Sequence, residues 1–143
     1  MLSYNEQIMS KRETPLTLAY WEHIKGTLIE EYPIVGKGKD CSPRWIDALI
    51  IKGGEHKKLP AYENNSIDLS GLDLICVQTK NRRVGMHLLG QAFFSMKLLE
   101  MKNPKSILSI ALCTQTDSYM EKIIEDIPNL KIQVINPDTL ELL

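Results

Sequence analysis

The chain has 143 residues, of which 43% are hydrophobic and 24% are charged, a balance that is typical of one soluble domain burying its own core. The formal net charge of -1 excludes a global basic field, so any nucleic-acid binding would depend on a local cluster of Lys and Arg. No stretch approaches the length of a membrane span, and the N-terminus lacks the basic and then apolar layout of a signal peptide. We therefore expect a cytoplasmic protein with no membrane partner.

The cysteines are odd in number and widely spaced in the sequence. Cys41, Cys76 and Cys113 do not pair at the short spacings of a zinc site, and two of them lie inside apolar runs. This pattern predicts buried, reduced thiols rather than a disulfide framework.

The first predicted elements are helical. Residues 1–14 open with a Ser-x-x-Glu pattern, which starts at Ser3 and predicts an N-terminal extension or a short helix. Residues 16–32 carry apolar side chains at helical spacing between Pro15 and Pro33, and this predicts an amphipathic helix.

Two strands are predicted next, separated by a long loop. RWIDALII over residues 44–51 has the β-branched and apolar content of a strand. Residues 52–66 are polar and rich in turn formers, which predicts a projecting loop. LDLICVQTK over residues 72–80 predicts a strand that is buried on both faces near its middle and becomes polar at its end.

The remaining chain alternates between helix and strand. Residues 84–101 predict a long helix, residues 106–113 a strand, residues 117–126 a helix and residues 131–135 a last strand. Such alternation implies right-handed parallel crossovers. The fold class that we expect is α/β, a mixed central sheet flanked by helices, in a single domain over residues 1–143.

Three polar side chains interrupt the two apolar strands. Residues two apart on a strand share a face, so Gln78 and Lys80 are predicted to project together while Thr79 points the other way. Asp47 is a lone carboxylate in WIDALII, and it is costly to bury unless it meets a cation. A hard ion, Mg²⁺ or Mn²⁺, would take the Asp47 carboxylate, the Gln78 amide oxygen and the main-chain carbonyl of Thr79 as ligands. Lys80 would then orient the attacking water or stabilise the charged transition state of phosphodiester hydrolysis.

The order of these motifs resembles the PD-(D/E)XK nuclease superfamily, and within it the branch of Mrr-like restriction endonucleases. WIDALI followed by VQTKNR, residues 77–82, is similar to an acid-bearing strand followed by a strand ending in hydrophobic-Gln-x-Lys-x-Arg, where Gln replaces the usual acid. The pair Gly90 and Gln91 resembles the glutamine that many relatives place near the active site. The likeness covers residues 16–143 and implies a restriction-endonuclease-like core.

The resemblance also implies an activity. It suggests a metal-dependent endonuclease that hydrolyses DNA in restriction, repair or recombination, with RNA as the alternative substrate. Asp47, Gln78 and Lys80 would be the catalytic signature. Relatives commonly add a helical Glu, for which Glu22 is our first choice and Glu30 our second.

The expected nucleic-acid contacts follow the second strand. Arg82 and Arg83 form a basic cluster with Lys80 ahead of a helix, which suits phosphate contacts, and Gln91 lies on that helix. We expect a homodimer, or membership of a larger complex, because a symmetric dimer cuts two strands most simply.

Each of these features also has a plainer explanation. Asp47 could face solvent or pair with Arg44, and Gln78 with Lys80 could be the polar end at which a strand leaves the core. Gln78 brings no negative charge, so a metal would bind more weakly than in the acid-bearing version. The second hypothesis is therefore the same fold used as a catalytically weak or inactive module for nucleic-acid binding or assembly. A nucleotide-binding module is disfavoured because no Gly-rich phosphate loop follows a strand.

Overall fold

A mixed six-stranded sheet forms the centre of the computed structural model, which describes residues 4–59 and 67–143, and side chains from residue 13 onward within those ranges. The elements are α1 (Tyr4–Ile24), β1 (Thr27–Val35), β2 (Arg44–Ile51), β3 (Lys57–Leu59), β4 (Asp73–Thr79), α2 (Met86–Glu100), β5 (Ser106–Cys113), α3 (Ser118–Ile124) and β6 (Leu130–Val134). The strand order is β3-β1-β2-β4-β5-β6. Strands β1, β2 and β4 are antiparallel neighbours, whereas β4, β5 and β6 are parallel. The predicted α/β class, with its mixed sheet and flanking helices, is confirmed.

Helices cover both faces of this sheet. Ile75 and Val77 of β4 face α1, whereas Leu74 and Cys76 face α2, so the apolar run of this central strand is buried on both sides. Apolar side chains of α3 join a cluster formed by α2 and β5, which places α3 on the same face as α2. The polar end of β4 therefore emerges between two helical layers.

The first helix differs from the prediction at both of its ends. It passes through Pro15 and joins the two predicted N-terminal elements into one helix. The prediction of a helix over residues 16–32 is confirmed up to Ile24 and wrong beyond it, because strand β1 begins at Thr27. Leu28 and Ile29 continued the helical spacing, but they lie on opposite faces of a strand that is buried on both sides.

The helix ends where two residues adopt left-handed backbone. Lys25 has a φ of 69° and Gly26 a φ of 95°, and the Lys25 N–H donates to the Trp21 carbonyl at 2.6 Å. The indole Nε1 of Trp21 donates to the Gly26 carbonyl at 2.8 Å. A glycine with positive φ just after the last turn is a common helix stop, and it turns the chain into β1 here.

Replacing Gly26 with alanine is expected to lower the free energy of unfolding by about 2 kcal/mol. The new Cβ would lie 2.5 Å from the Ile51 carbonyl oxygen, and the positive φ adds strain for any residue with a Cβ. Chemical denaturation measures the effect. Gly36→Ala is the matched control, since a Cβ there meets nothing within 4 Å, and it should change stability by less than about 0.5 kcal/mol.

The predicted loop over residues 52–66 contains a short strand. Lys57–Leu59 forms β3, which pairs in parallel with β1 at the edge of the sheet. Residues 60–66 lie outside the described residues, as does Ser3 of the predicted helix start.

The expectation of buried cysteines is met in part. Cys76 and Cys113 are buried and free, as predicted, whereas Cys41 is exposed. Among the helices of the described ranges, none combines the length and the apolar character that crossing a membrane requires.

Candidate active site

Asp47 lies where the pairing between β2 and β4 stops. The ladder ends at Ala48 and Val77, and beyond it the Thr79 N–H donates to Oδ2 of Asp47 at 2.9 Å instead of to a main-chain carbonyl. On the other side of β2, the register places Glu31 opposite Asp47, and Glu31 has a φ of 50°. These two irregularities coincide with the point at which the Asp47 carboxylate lies in a cavity beside α1.

This cavity has a volume of about 60 Å³ and is mostly acidic. It is bounded by side chains of α1, β1 and β2, which include Glu13, Thr17, Glu30, Glu31 and Asp47. Oε2 of Glu13 is buried and has no hydrogen-bond partner within the described part of the chain. Buried polar atoms of folded proteins almost always have a partner, so this oxygen points to a bound water or cation.

Burial raises the pKa of both carboxyl groups. For Glu13, desolvation raises the pKa most, the Lys80 charge opposes it, and the Asp47 charge raises it further. For Asp47, desolvation again raises the pKa most, and the Thr79 N–H and Lys80 oppose it. Asp47 as a residue is exposed to solvent, so its carboxylate borders the cavity and remains accessible from outside. A cation bound between the two carboxylates would relieve both penalties.

Lys80 completes the group. It follows β4 directly, its N–H donates to the Leu112 carbonyl at 2.9 Å, and it is half-buried. Its positive charge stabilises the ionised forms of Glu13 and Asp47. We refer to Glu13, Asp47 and Lys80 as the acidic cluster.

Gln78 is not brought into the acidic cluster. Its side chain is 4% exposed and lies on the α2 face, where Nε2 donates to Oγ of Ser95 at 2.8 Å. Oε1 accepts a long hydrogen bond of 3.4 Å from the Asp47 N–H. Thr79 faces α1, and its hydroxyl lies 2.8 Å from that of Thr17. Gln78 therefore supports the main chain of Asp47 from the opposite side of the sheet.

Neither of the two predicted helical acids belongs to the acidic cluster. Glu22 is exposed and pairs with His56 at 3.2 Å and with Lys25 at 3.5 Å. Glu30 borders the cavity, but it lies on β1 instead of a helix and pairs with Lys58 at 3.1 Å.

The helical acid next to Asp47 is Glu13, which the sequence analysis missed. Glu13 lies two positions before Pro15, in the segment that is predicted to precede the helix over residues 16–32. Glu13 and Thr17 are one turn apart, so they share a face of α1, and Thr17 contacts Thr79 of β4. This spacing would have indicated Glu13 if the helix had been extended through the proline.

The predicted nucleic-acid residues have separate environments. Arg82 is exposed, and its charge lowers the pKa of Glu13, so it lies near the acidic cluster. Arg83 donates from Nη1 to the Thr116 carbonyl at 2.8 Å and thereby holds the loop before α3. Gln91 is exposed on α2 and borders a larger cavity on the other face of the sheet.

Two carboxylates of the acidic cluster are the groups that could contribute ligands to a hard divalent ion. Glu13 offers a buried oxygen that has no partner in the described ranges. Asp47 offers Oδ1, because Oδ2 accepts the Thr79 N–H. Within residues 4–59 and 67–143, no group of three or more His, Cys, Asp or Glu gathers as a metal site. Main-chain oxygens, water and a substrate phosphate would have to complete the shell.

Comparisons of the chain with family models, with curated proteins and with solved structures each found no match.

Proposed function

We propose that this chain is a restriction-endonuclease-like phosphodiester hydrolase that acts on DNA with a divalent cation, Mg²⁺ or Mn²⁺. The observation that carries the proposal is the buried Oε2 of Glu13, which has no hydrogen-bond partner among the described residues and lies beside the same cavity as Asp47. Carboxylates with raised pKa values beside a lysine are typical of functional sites. At such sites a bound cofactor or substrate provides the charge or hydrogen bond that stabilises the ionised carboxylates.

The order of elements supports the same proposal. A helix, an antiparallel set of strands, a strand ending in polar residues and then alternating helices and strands follow one another along the chain. This is the order on which the resemblance to the Mrr-like branch rests. The restriction-endonuclease-like core is part of the proposal.

Each residue of the acidic cluster has a distinct part in the proposed reaction. Glu13 and Asp47 hold the cation, and the Thr79 N–H fixes the Asp47 carboxylate at 2.9 Å. The bound ion supplies charge neutralisation at phosphorus and a more acidic water. Lys80 offers an ammonium group that orients the attacking water or stabilises the negative charge that develops on the phosphate. Gln78 keeps the main chain of Asp47 in place through its 3.4 Å hydrogen bond.

The proposal includes DNA as the substrate and a homodimer as the assembly. The exposed Arg82 gives phosphate groups a cationic contact close to Glu13. We propose a homodimer, since two equivalent sites can cut the two strands of a duplex.

Lys80→Ala tests this assignment, and it is expected to lower the cleavage rate on the order of tenfold through loss of the ammonium group. Supercoiled plasmid, single-stranded DNA and RNA are incubated with the wild type in Mg²⁺, in Mn²⁺ and in a chelator. Lys122→Ala, an exposed lysine on α3, is the control and should cut at the wild-type rate. Equal rates for both variants would remove Lys80 from the site, and a wild type without metal-dependent products would overturn the nuclease proposal.

A catalytically inactive module for nucleic-acid binding or assembly is the second candidate. Gln78 favours it, because the uncharged amide replaces the usual acid and is used by Ser95 and the Asp47 N–H. The acidic cluster then holds the cation with only two carboxylates, so the cation binds weakly. Robust metal-dependent cleavage by the wild type would eliminate this candidate.

A further inference from the structure

A second and larger cavity opens beside α2, on the face of the sheet opposite the acidic cluster. Its volume is about 820 Å³, which falls in the range of roughly 300–1,000 Å³ that is common for small-molecule sites. We call it the α2 cavity, and its walls include Arg44, Trp45, Gln78, Gln91 and Phe94. Of its lining residues, only Gln78 has a part in the proposed hydrolysis, through its contact with the Asp47 N–H.

Large apolar side chains surround this cavity and remain open to solvent. Trp45 is 58% exposed, Phe94 is 64% exposed and Met86 is 79% exposed. Trp21, in contrast, is 6% exposed in the core. Exposed aromatic groups gathered around a concavity mark a binding site more often than a surface without function.

The cavity is also bordered by polar groups, which a purely apolar partner would leave unsatisfied. Gln78 and Ser95 are 4% and 8% exposed, and they are joined by the 2.8 Å hydrogen bond between Nε2 and Oγ. An amide nitrogen carries two N–H groups, so Gln78 keeps a second donor, and Gln91 adds another amide. Glutamine amides form paired hydrogen bonds with the edges of nucleobases.

The charge around the cavity favours an anionic ligand. Among the described residues that line it, none is Asp or Glu, and Arg44 provides a positive charge. Met86 and His87 come from the first turn of α2, which contains no acidic residue. The cap residue Gly85 offers no side chain to the first N–H groups, so they add to the attraction for a phosphate.

We propose that the α2 cavity binds an unpaired base of a DNA strand, stacked against Trp45 and Phe94, with its phosphate near Arg44 and the start of α2. The assignment rests on the proposed function, because it gives the DNA substrate a second contact. Aromatic faces bind bases of any sequence, and an amide reads the base edge. A flat apolar partner would use the aromatic groups but not the amides.

Gln78 connects this cavity with the acidic cluster. Its Nε2 donates to Ser95 in the α2 cavity, and its Oε1 accepts from the Asp47 N–H. A base that forms a hydrogen bond with the Gln78 amide would therefore change the contact between this amide and the main chain of Asp47. Trp45 and Asp47 are also two residues apart on β2, so both sites include side chains of this β-strand, although they open on opposite faces of the sheet.

Fluorescence of 2-aminopurine tests the proposal, since stacking on an aromatic side chain quenches this base analogue. A single-stranded oligonucleotide with one 2-aminopurine is titrated with the protein in a chelator, which prevents metal-dependent cleavage. The same analogue within a duplex and as a free mononucleotide provides the comparison. The wild type should quench the single strand, the duplex little, and the mononucleotide only at higher protein concentration.

Trp45→Leu and Phe94→Leu should each weaken binding of the single strand about tenfold. Both side chains are more than half exposed, so folding should survive, and circular dichroism checks it. Tyr119→Leu on α3, 77% exposed, is the control and should bind like the wild type.

Unchanged affinity in both variants, or no quenching by the wild type, would overturn the base site. Conversion of a dimer to a monomer by Trp45→Leu, with quenching intact, would instead identify the cavity as an interface between two copies and also overturn it. Quenching without Lys80-dependent cleavage would leave the base site standing and defeat the proposed function. Lys80-dependent cleavage without quenching would support the proposed function and overturn the base site.

Discussion

Asp47→Asn is expected to lower the rate of metal-dependent DNA cleavage by roughly 10²–10³-fold. Asparagine keeps the size of the side chain and an oxygen that can accept the Thr79 N–H, which Oδ2 accepts at 2.9 Å in the wild type. The variant loses only the negative charge that would hold the cation. The rate is measured from plasmid nicking, and the affinity for Mg²⁺ or Mn²⁺ is measured by calorimetric titration and should fall together with the rate.

Glu22→Gln is the matched control for this prediction. It removes an acid of α1 that is exposed and paired with His56 and Lys25, away from the acidic cluster. The control should cut DNA and bind metal like the wild type. If Asp47→Asn cut as fast as Glu22→Gln, Asp47 would not be a metal ligand.

Strands with clear boundaries could be predicted from the sequence. The predicted ranges 44–51 and 106–113 are those of β2 and β5, because apolar and β-branched runs there are bounded by turn-forming residues. The parallel pairing of β4, β5 and β6 also followed from the alternation of helix and strand. In these segments local pattern and tertiary environment agree.

The boundary between α1 and β1 could not be predicted from spacing alone. A strand that is buried on both faces has consecutive apolar residues, and such a run also satisfies the helical spacing of the preceding segment. Leu28 and Ile29 were therefore counted as part of a helix. The signal that separates the two elements is Gly26, whose positive φ ends the helix.

The acidic cluster was predicted only in part, for two physical reasons. Alternation along β4 correctly separates Gln78 from Thr79, but the strand ends at Thr79, so alternation no longer determines the direction of Lys80. Lys80 instead acts on Glu13 and Asp47, next to α1. The sequence does not indicate Glu13, because Pro15 is typical of a helix start, whereas α1 passes through this proline.

Glu13→Gln is expected to lower cleavage about 10²-fold and, at the same time, to raise the free energy of unfolding at neutral pH by about 1 kcal/mol. The substitution removes a desolvated carboxylate, one oxygen of which is buried without a partner in the part of the chain that the structure describes. The amide can still accept the backbone hydrogen bond from Asn81. Chemical denaturation without metal measures the gain. The stability measurement distinguishes a metal ligand from a residue that stabilises the fold. Replacing a residue that stabilises the fold would lower stability as well as activity.

The gain in stability should depend on pH in a definite direction. Burial raises the pKa of Glu13 from its ordinary value of 4.5, so the folded chain holds this proton more tightly than the unfolded chain. The stabilisation from protonated Glu13 is complete below the ordinary pKa and is lost as the pH rises through the raised pKa. Glu13→Gln avoids this loss, so its advantage over the wild type should be small near pH 4 and should grow as the pH rises through the raised pKa of Glu13.

Added Mg²⁺ or Mn²⁺ should reduce the difference in free energy of unfolding between Glu13→Gln and the wild type. The ion stabilises the folded wild type and binds the variant less tightly. Glu22→Gln should show no gain at either pH, since Glu22 is exposed and paired. A Glu13→Gln variant that is less stable than the wild type near pH 7 without metal would mean that the carboxylate has a stabilising partner. The buried oxygen would then no longer indicate a cation site, and the proposed hydrolase would lose its main support.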